Sequence, residues 1–226
     1  MEGDDKGIVC VTGGTGFVAP WLIMKLLEHD YTIILNFEVN LYELKTPSHY
    51  LTLPKIFDKA IQGCIGVFHV AHPIDFEDKE PEEVKTQRAI NATLGTLKAS
   101  LKSNTVKWVV YTSSASTIIL NGKGLDVLDE RHWSDIYFVR SSNRYEASYM
   151  ISKTLTDKAA LEFAEKHGLD LVTVIPTVIG GPFICPRVPS SVNVSMAKIL
   201  GTRCFSRPTC EIMVSVYFIL QQGDHI

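Results

Sequence analysis

"VTGGTGFVA", residues 11–19, stands between a short β-branched run and an apolar stretch of helical period. Gly14-x-Gly16-x-x-Ala19 matches the dinucleotide-binding fingerprint with alanine in its last place, and Gly13-x-x-Gly16 gives a wider version of the same spacing. Glycines at such places let the backbone approach a pyrophosphate, whose charge then rests on the N–H groups of a helix N-terminus. The alternative is a glycine-rich turn without a ligand. Position favours the nucleotide, because the loop follows the first strand and opens the first helix, as the motif requires.

Outward from the loop, the chain alternates strands and helices. "GIVCVTGG" is a buried strand running into a turn, and "FVAPWLIMKLLEHD" repeats apolar residues at helical spacing, with Pro20 in its first turn. "YTIILNF" is a second strand, "KIFDKAIQGC" a helix stopped near Gly63, and "IGVFHVAH" a third strand. A long helix is predicted from Glu80 to Ser103 with Pro81 at its start, followed by the strand "VKWVVYTSSAS". A helix from Arg144 to His167 capped by Gly168, then the strand "LDLVTVIPTV", complete the pattern. Such alternation implies an α/β fold with a doubly wound parallel sheet, the Rossmann type.

Composition narrows the function. An apolar fraction of 46% with 21% charged residues suits one α/β domain that buries a core, and 226 residues leave room for little more. A net charge of −3 without a basic run speaks against nucleic acid. The acidic "MEGDDKGIVC" fits neither a signal nor a transit peptide, and "IMVSVYFIL", residues 212–220, is too short to span a bilayer. Five cysteines without Cys-x-x-Cys spacing imply reduced thiols and a cytoplasmic protein. His69 and His72 have no cysteine or carboxylate ligand close by, so they read as a strand-end and a loop histidine, with no metal expected.

"YEASYMISKTL", residues 145–155, puts Tyr149 four positions before Lys153, on one helix face. Chance produces this pair easily, so it gains meaning from its surroundings. Ser113 and Ser114 end the preceding strand at the carboxyl edge, where doubly wound sheets hold ligands. Together these groups suit reduction of a carbonyl. Tyrosine ordinarily titrates near pH ~10, too high for proton transfer at neutrality. The Lys153 ammonium, with the cation of an oxidised nicotinamide, would favour the phenolate. Ser114 would hydrogen-bond the substrate oxygen as charge develops there.

Six stretches in combination, "VTGGTGF", "GVFHVAHPIDF", "YTSSAS", "NGKGLDVLDERHWSD", "YMISKTL" and "VIPTVIGGPFICPRVPSS", resemble the extended short-chain dehydrogenase/reductase superfamily, and within it the plant dihydroflavonol reductase-like group. The likeness covers most of residues 7–201, which it marks as an NAD(P)-binding domain of the epimerase/dehydratase type. It implies an NADP(H)-dependent oxidoreductase, NAD(H) being an option, that acts on a flavonoid-like or other small phenolic substrate. The implied catalytic residues are Ser114, Tyr149 and Lys153. The implied cofactor contacts are Gly13, Gly14, Thr15, Gly16, Phe17, Val18, Ala71, Ser113, Tyr149, Lys153, Pro176, Ile179 and Ser191.

Several positions depart from that group. "LNFEVNLYELK" offers Glu38 where the group has an arginine for the NADP 2′-phosphate, and a carboxylate there suits an NAD ribose instead. The strand and aspartate expected before "KIFDKAIQGC" are missing from "LYELKTPSHYLTLP". Ala147 stands where tryptophan is frequent. Ile119 replaces a substrate-binding asparagine, which argues against a dihydroflavonol substrate. Beyond Gly201 the likeness stops, so residues 202–226 are expected to be a divergent tail, with the substrate-binding portion largely missing through splicing or an imperfect gene model. The rival expectation is a catalytically weak nucleotide-binding remnant acting through interactions. The sequence leaves oligomeric state open.

Overall fold

The computed structural model describes residues 6–36, 53–72, 80–124, 127–142, 144, 146–182, 184, 188–189, 191–193, 196 and 219–221. Its strands are β1 (Ile8–Thr12), β2 (Thr32–Asn36), β3 (Gly66–His69), β4 (Trp108–Thr112), β5 (Leu171–Ile175) and β6 (Ile219–Gln221). Its α-helices are α1 (Val18–Glu28), α2 (Leu53–Ile61), α3 (Glu82–Ser103), α4 (Ile136–Ser141) and α5 (Ala147–His167), with a 3-10 turn at Ala115–Thr117. The strand order is β2-β1-β3-β4-β5-β6, with β1 to β5 parallel and β6 antiparallel to β5. This is the doubly wound fold that the sequence implies.

The strands are apolar on both sides because helices cover both faces. Val9 and Val11 turn toward α1, where they pack with Ala19 and Leu26. Cys10 points the other way, into a core with Phe57 and Ile61 of α2, Leu97 of α3 and Ala160 of α5. Cys10 and Cys64 are free thiols in that core, and burial pushes them up to about 12 and about 11. Both are therefore inert as nucleophiles near neutrality.

Element boundaries follow local chemistry. Pro81 is the N-cap of α3, and Glu82 and Glu83 lie in its first turn, favourable against the helix dipole. Gly168 ends α5 in the left-handed conformation at φ 65°, where a side chain is disfavoured. That helix begins at Ala147, three residues later than its pattern suggests. The sequence pattern did not show α4: it has six residues, leaves Tyr137 and Phe138 exposed, and is started by Asp135, whose carboxylate accepts from Tyr137 N and Phe138 N. The strand expected to be missing before α2, and Glu38 with it, lie outside the described residues.

Candidate active site

The register aligns Thr12, His69, Tyr111 and Thr173 in one row across β1, β3, β4 and β5. Paired residues of a parallel sheet share a face, so this polar row lies just inside the carboxyl edge. His69 is fully buried, and its ring nitrogens lie 2.9 Å from Thr12 Oγ1 and 3.1 Å from Thr93 Oγ1. Its ring stacks on Tyr111 with centroids 5.7 Å apart. Burial, reinforced by the Lys153 charge, lowers its pKa to about 3, so it is a neutral structural imidazole. Thr12 Oγ1 also accepts from Ala71 N at 3.1 Å, tying the end of β1 to the segment after β3.

Above this row sits the glycine loop. Gly13 has φ +76°, and a Cβ there would lie 2.9 Å from Ala71 Cα and N, so only glycine fits. Gly16 N donates to Gly13 O at 2.9 Å, closing the turn beside Gly14 and the exposed Thr15. Phe17 caps α1 without a side-chain hydrogen bond, and no acidic residue stands in the first turn that Val18 opens. The N-terminal N–H groups of α1 thus keep their positive field for an external anion. Opposite, Pro176 is buried and its carbonyl accepts from Ala115 N at 2.8 Å. The segment through partly buried Ile179 then returns to α1, where Trp21 Nε1 donates to Pro182 O at 2.9 Å. Ser191 opens a further helical stretch and is partly buried.

Ser114, Tyr149 and Lys153 gather where β4 ends. Ser114 has extended backbone and starts the 3-10 turn, its Oγ accepting from Ser116 N at 3.2 Å. The same hydroxyl is hydrogen-bonded to the Tyr149 side chain. Lys153 is buried and donates to Thr112 O at 2.7 Å and to the Tyr111 hydroxyl at 3.4 Å. Burial lowers its pKa to about 8, against an opposing pull from Asp157. Tyr149 goes the other way from the sequence expectation. In the protein alone, burial pushes its pKa up to about 12, although the Ser114 bond draws it down. Lys153 spends its contacts on β4, and its charge does not bring the expected fall.

The roles of two groups were invisible to sequence reasoning. His72 meets the Tyr149 ring edge-on, centroids 5.7 Å apart, and both its ring nitrogens are shut from solvent without a hydrogen-bond partner. Burial first, then Lys153 and His69, hold it well below the ordinary imidazole value. Asp157 is buried one turn beyond Lys153 and accepts from Ser113 Oγ and from the Tyr111 hydroxyl. The Ser113 side chain is therefore directed at Asp157, and its backbone N–H donates to Val174 O at 2.8 Å. Ile119 and Ala147 pack on the cluster of Leu120, Val139, Met150 and Ile151.

Comparisons with known proteins assign the fold that carries these residues to a family. The model of the NAD dependent epimerase/dehydratase family matches residues 9–202. The chain belongs to that family. It is 44% identical to vestitone reductase of Medicago sativa over 216 residues, covering 88% of this chain and 66% of that protein. The crystal structure of vestitone reductase from alfalfa superposes with a TM-score of 0.72 at 41% identity, covering 85% of this chain and 63% of that one. The bifunctional dihydroflavonol 4-reductase/flavanone 4-reductase of Malus domestica is 39% identical over 99% of this chain and 66% of its own length. Yeast methylglyoxal/isovaleraldehyde reductase complexed with NADPH superposes with a TM-score of 0.64 at 25% identity, over 78% of this chain and 59% of that one. The chain thus spans just under two thirds of the relatives it matches. Among the described residues no helix is long and apolar enough to cross a membrane, and no cluster of ligating side chains could hold a metal ion.

Proposed function

We propose that the protein is an NADP(H)-dependent reductase that converts a carbonyl of a small phenolic, flavonoid-like molecule to an alcohol. The observation that carries this reading is the convergence of Ser114, Tyr149 and Lys153 on the end of β4, beside an uncapped helix N-terminus and the Gly13 turn. Supporting it are the flavonoid reductases among the relatives and the NADPH complex among the structural neighbours.

The cradle fits a dinucleotide: Gly13, Gly14, Thr15 and Gly16 line the backbone turn, and the first turn of α1 from Phe17 and Val18 takes the pyrophosphate charge. When bound, the cofactor supplies the hydride. Ala71, Pro176, Ile179 and Ser191 would help to hold it, and Lys153 would be free to contact its ribose only beside its bonds to Thr112 O and the Tyr111 hydroxyl. Ser114 orients the substrate oxygen and stabilises the charge that develops on it. Tyr149, already bonded to Ser114, hands its proton to that oxygen, and Lys153 stabilises the phenolate left behind. Between turnovers the raised pKa keeps Tyr149 protonated, the form a donor needs.

Calorimetric titration with NADPH and NADH tests the cradle. Heat is expected with at least one, and Gly16→Asp abolishes it by placing bulk and charge beside the pyrophosphate; silence with both overturns the reading. Glu38 in place of arginine predicts a weaker preference for NADPH than a 2′-phosphate clamp would give. Carbonyl-dependent oxidation of the reduced cofactor, assayed over flavanones, isoflavanones and simpler aromatic ketones, tests the substrate class.

A further inference from the structure

Asp157 stands at the third place of a four-residue repeat, Tyr149, Lys153, Asp157, and so lies on the same face of α5 as the catalytic pair. Its side chain is buried, where a lone carboxylate is costly. Two hydroxyls of β4 and the turn after it converge on it, those of Tyr111 and Ser113. The Tyr111 hydroxyl in turn accepts from Lys153 Nζ, and its ring lies beneath the same ammonium, 4.9 Å from nitrogen to centroid. The chain of contacts is continuous: Lys153 to Tyr111 to Asp157 to Ser113, and from Ser113 along the backbone to Ser114.

We propose that Asp157 is the anionic anchor of the site, a positioning residue that holds the Lys153 ammonium through Tyr111 and fixes the Ser114 turn through Ser113. This rests on the reductase reading for its purpose, though not for its physics. Without a negative charge nearby, a lysine buried among His69, His72, Tyr111 and Tyr149 has strong reason to shed its proton, because each of those groups is neutral at pH 7. Asp157 is the charge that opposes this. Lys153 stabilises its partner carboxylate in return, against the burial that raises the Asp157 pKa to about 6. Lys153 and Asp157 are thus linked through Tyr111 and not by direct contact, Lys153 donating to Thr112 O and Asp157 accepting from Ser113 Oγ, while Asp157 Oδ1 is buried without a partner.

The test is direct titration of Lys153 in the full chain by NMR of ¹³Cε-labelled lysine, in wild type, Asp157→Asn, Asp157→Glu and Tyr111→Phe. Asp157→Asn is expected to lower the Lys153 midpoint by about one pH unit or more, and Asp157→Glu to restore most of that shift. An unchanged midpoint in Asp157→Asn overturns the proposal, since a purely structural carboxylate would alter stability without moving it. If Asp157→Asn fails to fold, Tyr111→Phe decides: it keeps the carboxylate and removes the bridge. A lowered midpoint there supports the anchor, and an unchanged one overturns it. NADPH titration of the same samples reads the reductase proposal separately, because loss of cofactor binding in wild type leaves the Lys153 midpoint measurable.

Discussion

Helices α3 and α5 lie side by side on the same face of the sheet, both long, both burying many polar residues. They use those residues differently. Toward the end of α3 the hydroxyls turn back on their own helix: Thr96 Oγ1 donates to Ala92 O, Ser100 Oγ to Thr96 O and Ser103 Oγ to Ser100 O. The first two close within one turn, and Ser103 Oγ also accepts from Thr105 N and Val106 N just past the helix end. On α5, Thr154 does the same with Met150 O, but Lys153 and Asp157 cross to β4 and its turn. Thr93 of α3 crosses too, to His69, and it also leads to the carboxyl edge. A buried polar group that closes on its own helix helps to pack it. One that crosses to the sheet ties its helix to the carboxyl edge.

The largest effect should come from the crossing helix. Tyr149→Phe keeps the ring but removes the proton, so turnover is expected to fall by about a hundredfold or more with NADPH affinity nearly unchanged. Lys153→Ala should impair both turnover and binding. Steady-state kinetics with calorimetry on the two variants separates these outcomes. Unchanged turnover in Tyr149→Phe would reduce the pair to a coincidence of spacing and break the distinction between the helices.

Next is the link that Thr93 makes to His69. The folded pKa of His69 is about 3, against 6.5 for an ordinary imidazole. Between these values the unfolded chain binds a proton that the folded chain refuses, so stability falls as pH drops from 6.5 toward 3. Each pH unit of separation is about 1.4 kcal/mol, so this ring should weaken the fold in acid, alongside His72, which burial lowers in the same direction. His69→Asn can still bond Thr12 or Thr93 yet does not titrate there. Urea denaturation from pH 7 to pH 4 should show a flatter decline for the variant, and parallel curves would exclude His69 as the cause.

How much of this was legible beforehand depends on whether a signal is local. The glycine loop and β1 to β5 could be read because each strand is an apolar, β-branched run ended by small or polar residues. Tyr149 and Lys153 could be singled out because a turn of helix lies within one short stretch. Asp157 could not, since a single aspartate in a helix ordinarily faces water and only the contact with β4 reveals otherwise. His72 was read as a loop histidine, and its place against Tyr149 depends on a fold contact 77 positions away in sequence. The expected fall in the Tyr149 pKa failed for a related reason: sequence shows a neighbouring charge but not the burial that outweighs it. In the tail, Ile219–Gln221 pair antiparallel with β5, a strand absent from the elements read in the sequence.

A smaller effect is expected at the glycine turn. Gly13→Ala asks a side chain to adopt φ +76° and to displace Ala71, at a cost of about 1–3 kcal/mol. The cost should be divided between a lower melting temperature and weaker NADPH binding. An alanine variant with wild-type affinity would show that the loop relaxes without disturbing the cradle.

The smallest difference is the one that bears most directly on the two helices. Ser100→Ala removes a hydroxyl whose partner, Thr96 O, keeps its place in the α3 backbone ladder, so little is left unsatisfied. The expected loss is about 1 kcal/mol or less. Ser113→Ala removes a hydroxyl of similar burial, but its partner is the buried Asp157 carboxylate, which then retains only the Tyr111 donor. A charged acceptor deprived of a donor costs more, about 1–3 kcal/mol. The second variant should also raise the pKa of Asp157, because the Ser113 bond lowers it now. Its deficit should therefore shrink as pH falls through 6, where the carboxyl takes up a proton, while that of Ser100→Ala stays level. Urea denaturation of both variants at pH 7.5 and pH 5 measures this. Equal, pH-independent losses would mean that a bond across to the sheet is worth no more than one turned back on its own helix.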